Sequence, residues 1–292
     1  MARTRLGIEA ENMGNAVFEP GIVAMAQAIE ASGADSISVS DHLLSFSSGN
    51  AGPEASSAET WLEALSCLAA ISSVTSRVRL IASVIILPQR NVLELIKVAT
   101  TIDFLSGGRL VLGVGSGWNQ REMEALGFDF ANRGQRMDEM LKILRGMRSG
   151  SVQAFTGQQL SVPAGIRMSP SPAGSRSIPL YIGGSGVSKV SIRRTLAFGD
   201  GWMPYAMAGQ YDARALRRTM DHLREERTQA GLEPFDTIFK LGVHGHTSQL
   251  LESSVLELAS IGFDEIIVQG IWDAGIESGI GTIRRLQDLL DA

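Results

Sequence analysis

A chain of 292 residues that is 44% hydrophobic can bury a large core. Its net charge of −5 and pI ≈ 5.5 argue against a nucleic-acid partner, and no basic run overrules them. No apolar stretch approaches the roughly 18 residues that span a bilayer, and MARTRLGIEA enters a strand-like pattern without a signal-peptide apolar region. Cys67 is the single cysteine, so an internal disulfide and a thiolate metal cluster are excluded. The expectation is a cytoplasmic protein with no membrane partner.

In chain order, Arg5–Ala10 is a short first strand ending at Glu9 and Glu11. Pro20 opens a helix to about Ser32, which Gly33 closes. Ser36–Ser40 is the second strand and leads into Asp41 and His42. Residues 44–58 are rich in Ser, Gly and Pro and read as a long exposed loop. A helix follows over Thr60–Thr75, with an apolar stripe that includes Cys67. Val78–Leu87, rich in β-branched residues, is the third strand, and Leu93–Leu105 the third helix. Ser106-Gly107-Gly108 stops that helix, because glycine takes the left-handed dihedrals a helix end needs. Arg109–Val114 is an apolar run of strand length, the pattern of a strand buried on both faces. Gly115, Ser116, Gly117, Trp118 and Asn119 break it, and Asn119 can cap the helix that follows near Arg121–Leu126.

After a longer helix from about Arg133 to Arg148, residues 150–178 interrupt the rhythm with Pro163, Pro170 and Pro172, and with one hairpin expected near Thr156-Gly157. This insertion is too long for an ordinary connection and reads as a lid or a surface excursion. The rhythm resumes with Leu180–Ile182, a helix over Ser188–Phe198, Trp202–Tyr205, and a long helix over Asp212–Gly231. Ile238–Val243, Gln249–Ser260, Glu265–Gln269 and Thr282–Leu290 complete it. Eight strand-then-helix units fit a single α/β domain over residues 1–292, a (β/α)8 TIM barrel; an open doubly wound sheet is the alternative.

In a barrel, function collects at the strand C-terminal ends. Those ends offer Glu9 and Glu11; Asp41 and His42; Ser83–Pro88; Ser116, Trp118 and Asn119; Gly183, Gly184, Ser185 and Gly186; Trp202 and Tyr205; His244 and His246; Gln269 and Trp272. Three of the four histidines therefore fall at strand ends. The two glycine turns let a backbone approach an anion beside a helix N-terminus, although such turns often bind nothing. His42 can move a proton near neutral pH or simply cap the adjacent loop. His244 and His246 sit two apart, as a metal pair would. With no His-x-His on the first strand, however, we expect no metal.

The motif VSDH at 39–42, the segment from Arg77 to Phe128, PLYIGGSG at 179–186 and LAFGDGWMPY at 196–205 resemble the bacterial-luciferase-like flavin and deazaflavin oxidoreductases. The resemblance implies a (β/α)8 barrel with an insertion between strand and helix late in the first half. It also implies FMN or the deazaflavin F420 in the barrel mouth, and a non-prolyl cis peptide at Ser83-Val84 behind the ring. Asp41 would contact the cofactor, whose phosphate would be held by the rims matching Gly115–Asn119 and Gly183–Gly186. Asp41-His42 and GSGWN look more like the F420-dependent branch, in which His42 and Asp41 would handle the proton of a hydride transfer. Trp118 stands where the sugar-phosphate-oxidising branch has an acidic glutamate, so that substrate is not supported. Trp118, Trp202, His244, His246 and Trp272 are the expected substrate-pocket residues. The alternatives are an FMN-dependent two-component monooxygenase, which needs a flavin reductase, and a non-catalytic flavin- or F420-binding protein. The family also suggests a homodimer acting on a small-molecule substrate.

Overall fold

The computed structural model describes residues 3–45, 60–148, 150–172, 177–245 and 247–292. Eight parallel strands carry the architecture: β1 (Arg5–Glu9), β2 (Ser36–Val39), β3 (Arg79–Ile86), β4 (Leu110–Gly115), β5 (Leu180–Ser185), β6 (Gly201–Met207), β7 (Asp236–Gly242) and β8 (Glu265–Gln269). Each pairs with its sequence neighbour, and β8 returns to β1 through the register Arg5↔Glu265 to Ile8↔Val268. The sheet is therefore closed, which decides for the barrel over the open sheet.

Helices α1 (Ile22–Ala31), α2 (Ala64–Val74), α3 (Val92–Leu105), α4 (Gln120–Ala125), α5 (Arg133–Arg145), α6 (Lys189–Phe198), α7 (Ala213–Gln229), α8 (Ser248–Ile261) and α9 (Ile276–Asp291) surround it. Their starts follow side-chain capping. Asn91 accepts from the N–H groups of Leu93 and Glu94, Asn119 from Glu122, and Asp212 from Arg214 and Ala215. None of the helices among the described residues is long and apolar enough to cross a membrane.

Alternation along the strands sorts side chains into two cores. Ile81, Val111, Tyr181, Met203, Ile238 and Ile267 fill the barrel interior, while a larger apolar set packs between strands and helices. Below the inner layer, at the strand N-termini, charge closes the barrel. Arg5 meets Glu265 and Asp236 at 3.2 and 2.6 Å, and Arg79 bridges the same two carboxylates. Tyr181 donates to Asp236 and Ser36 to Glu265. The opposite end is left for chemistry.

The excursion at 150–178 lies between α5 and β5, between helix and strand, and not between strand and helix as the family pattern suggested. Its described part forms two short hairpins, Met147–Arg148 with Ser151–Val152 and Phe155–Thr156 with Ser161–Val162. Glu139 of α5 accepts from the N–H groups of Gln158, Gln159 and Leu160, and Val152 and Val162 are buried. That part is an excursion anchored on α5. Most of the expected 44–58 loop lies outside the described residues.

Candidate active site

His42 leaves the C-terminal end of β2 and sits between two tryptophans, with ring centroids 4.9 Å from Trp61 and 5.7 Å from Trp118. Its Nδ1 lies 2.7 Å from Oε2 of Glu122, a fully buried carboxylate on the first turn of α4. The other oxygen of Glu122 accepts from the main-chain N–H groups of Leu43 and Leu44, at 2.6 and 3.2 Å. Burial alone would raise the Glu122 carboxyl. The hydrogen bond and charge of His42, with the two amides, outweigh it and hold the group below the ordinary glutamate range. An ionised Glu122 accepts a proton-bearing Nδ1, so Nε2 is the nitrogen left to exchange a proton. Trp118 is nearly half exposed, which places an indole at the rim beside that imidazole.

Asp41, beside His42 in the chain, is held by other partners. It is buried, and its Oδ1 accepts from the Arg90 guanidinium at 2.6 Å while Oδ2 accepts from Ile86 N–H at 2.9 Å. Burial pushes its carboxyl upward and Arg90 pulls against it. Arg90 reaches on to Glu63, the N-cap of α2, at 2.9 Å. The pair is a clamp among the loops after β2 and β3, with both oxygens of Asp41 engaged by Arg90 and the Ile86 amide.

The expected cis peptide is present at Ser83-Val84, where the register of β3 against β4 shifts between Ala82 and Ile85. Val84 leans across Gly115 and Gly183. A Cβ at either position would meet its methyl groups at 2.8 and 2.4 Å, so only glycine admits the approach. The two glycine turns therefore flank a half-buried aliphatic surface at the end of β3. Ser116 and Gly117 are partly exposed, as are Gly184 and Gly186 on the other turn, and Ser185 is exposed. Ser188 accepts from Ser191 N–H at 3.4 Å and caps α6.

Two of the expected pocket tryptophans lie elsewhere. Trp202 is the second residue of β6 and is wholly buried in the outer core, stacked on Phe263 at 5.9 Å. It and Tyr205 are three apart in a strand and point to opposite faces. Trp272 is also buried. Its indole N–H donates to the Glu9 carbonyl at 2.7 Å, and Gly279 of α9 lies against its ring, where a Cβ would come within 2.4 Å. Both tryptophans are wall residues. His244 is exposed in the turn after β7, and His246 lies outside the described residues.

On that side of the rim Glu11, His244 and Asp273 bring their polar atoms within 4.8 Å of one another. Glu11 is buried and accepts from Gly270 N–H at 2.8 Å. Burial first, then the charge of Glu9, pushes its carboxyl from 4.5 up to about 7. A raised folded-state value stabilises the fold below pH about 4.5, and that stability is lost as pH rises toward 7, with a ceiling of about 3 kcal/mol. Glu11→Gln keeps an acceptor for Gly270 and cannot ionise. It is expected to be the more stable protein at pH 8 and close to wild type at pH 4. Thermal melts of both proteins at the two pH values check this, and parallel losses would remove Glu11 as the source.

The residues that sequence reasoning missed are Glu122, Arg90 and Trp61. Glu122, three residues beyond Asn119, reads locally as an acidic first-turn residue of a surface helix. Trp61 lies just ahead of α2, where an isolated bridge pairs its main chain with Met13.

Residues 17–262 match the family described as luciferase-like monooxygenase. A protein of Mycobacterium tuberculosis, described as uncharacterised, is 31% identical over 255 residues, covering 84% of this chain and 83% of its own. Among solved structures, an F420-dependent secondary alcohol dehydrogenase in complex with an F420-acetone adduct superposes with a TM-score of 0.79 at 14% identity, covering 99% of both chains. The monooxygenase RslO1 from Streptomyces bottropensis superposes with a TM-score of 0.78 at 15% identity, again over 99% of both. With the closed barrel and the extent of the family match, the chain belongs to the luciferase-like monooxygenase family.

Proposed function

We propose that the chain is an F420-dependent oxidoreductase that moves a hydride between the deazaflavin and a small organic substrate. The observation that carries this reading is the His42–Glu122 pair at the barrel mouth, an imidazole whose tautomer and orientation are set by a buried carboxylate. When bound, the deazaflavin supplies a two-electron carrier that gives or takes hydride at C5. Such a transfer leaves one proton to be moved, and Nε2 of His42 would hold it. The residues at the end of β3 fit a flat ring: Val84 offers an aliphatic floor, and Gly115 and Gly183 carry no side chain to obstruct it. The turns Gly115–Asn119 and Gly183–Gly186 would receive the cofactor's phosphate. Trp118 and Trp61 would exclude water beside His42, and Trp118 with His244 would face the substrate. A homodimer belongs to the same proposal.

The two similar structures pair one F420 enzyme with one monooxygenase at nearly equal TM-scores, so fold similarity does not choose between cofactors. Parallel titrations of the purified protein with F420 and with FMN, followed by fluorescence, test the reading. The expected result is micromolar or tighter binding of F420 and weak binding of FMN. Preference for FMN would move the chain to oxygen chemistry with a partner reductase, and binding of neither would overturn the ring site.

A further inference from the structure

Lys240 lies in β7 two residues beyond Ile238 and shares that residue's inward face. Ile238 belongs to the apolar interior. Lys240 stands one layer nearer the mouth and is 5% exposed. A buried ammonium is costly unless its three N–H groups are met. Here Nζ donates to Ser40 Oγ at 2.7 Å and to the Ser83 carbonyl at 2.8 Å, and its charge is paired with Oε2 of Glu9 at 2.7 Å. Ser40 in turn donates to the other oxygen of Glu9 at 2.6 Å. One side chain thus joins β1, β7, the residue after β2 and the middle of β3.

A simple cross-tie would be satisfied by any acceptor. One acceptor here is the main-chain carbonyl of Ser83, at the place where β3 slips register against β4. Fixing that carbonyl fixes the plane of the Ser83–Val84 peptide, and with it the direction in which Val84 leaves the strand. Val84 then reaches over Gly115 and Gly183. We propose that Lys240 is a positioning residue for the barrel mouth: with Glu9 as its counter-ion, it holds the Ser83 carbonyl inward and thereby sets Val84 as the floor of the ring site. The ring itself rests on the functional reading above; the hold on Ser83 does not.

The test uses the double variant Glu9→Gln/Lys240→Met, which strands no buried charge. Hydrogen exchange on the ligand-free protein is expected to speed up at the amides of Val84–Ile86 and to stay unchanged at the strand N-termini. F420 and FMN titrations are expected to show binding about tenfold weaker or more, the size of one charge-assisted hydrogen bond, with a shifted absorption band for the bound ring. Wild-type exchange at Val84–Ile86, or wild-type affinity and spectrum, in a folded double variant would overturn the proposal. If that variant does not fold, Lys240→Arg is the second arm. It keeps the charge for Glu9, but its planar fork does not reproduce a compact ammonium. The expected result is a folded protein with a shifted spectrum of the bound ring, and an unshifted one overturns the proposal equally. A wild-type protein that binds neither cofactor would sink the ring site, while the exchange comparison would still decide whether Lys240 holds Ser83.

Discussion

Arg90→Ala is expected to destabilise the fold by about 3–5 kcal/mol, because it leaves Asp41 as an uncompensated buried carboxylate. For a chain of this size that lowers the melting temperature by on the order of 10 °C. Arg90 touches both oxygens of Asp41 and one of Glu63. After its removal the Ile86 amide is the one donor to Asp41 that the structure shows. The buried carboxyl then takes up a proton, its folded-state value rising further. A raised value means that the stability is present at low pH and is lost as pH climbs through and above the ordinary aspartate range. The melting difference between wild type and Arg90→Ala should therefore be small at acid pH and widen toward neutrality. Asp41→Asn/Arg90→Met, which strands no charge, should recover much of the loss. A difference that is small at every pH would show that the clamp contributes little.

The barrel was legible because it repeats. Eight apolar strand-length runs, each followed by a helix of period 3.6, leave few architectures, and the observed strand bounds depart from the expected ones by a few residues. Where the reading failed, the cause was parity or distance. Trp202 and Tyr205 are three apart in a strand, an odd separation that forbids both from lining one face, and the structure puts Trp202 in the outer core. Glu122 acts on His42, which is 80 positions away, and Arg90 on Asp41, 49 positions away. Local rules about caps and turns see neither contact. Lys240 was visible as the single charge within the apolar run Ile238–Val243, but its partners come from β1, β3 and the end of β2, and only closure of the barrel brings them together. His42 could be placed from sequence, because the strand-end rule concerns the topology of the chain and not the identity of a partner.

The second large effect is expected at Glu122. Glu122→Gln should lower turnover by about 10²–10⁴-fold while leaving the fold and cofactor affinity close to wild type, by the reasoning that applies wherever a carboxylate fixes a catalytic imidazole. The substituted amide can still accept from the Leu43 and Leu44 amides through its oxygen. Its nitrogen then faces Nδ1 of His42 and donates to it. That requires an unprotonated Nδ1 and moves the imidazole proton to Nε2, the other ring nitrogen. An Nε2 that already carries a proton cannot accept one, so the direction of reaction that needs a base should suffer more than the one that needs an acid. His42→Ala, which removes the group altogether, should depress both directions and retain binding. Steady-state rates measured in both directions, with F420 titrations of each variant, separate these outcomes. If Glu122→Gln turns over like wild type, the carboxylate only organises the 43–44 turn. If it fails in both directions to the same extent as His42→Ala, the pair acts as a rigid unit and the tautomer argument is wrong.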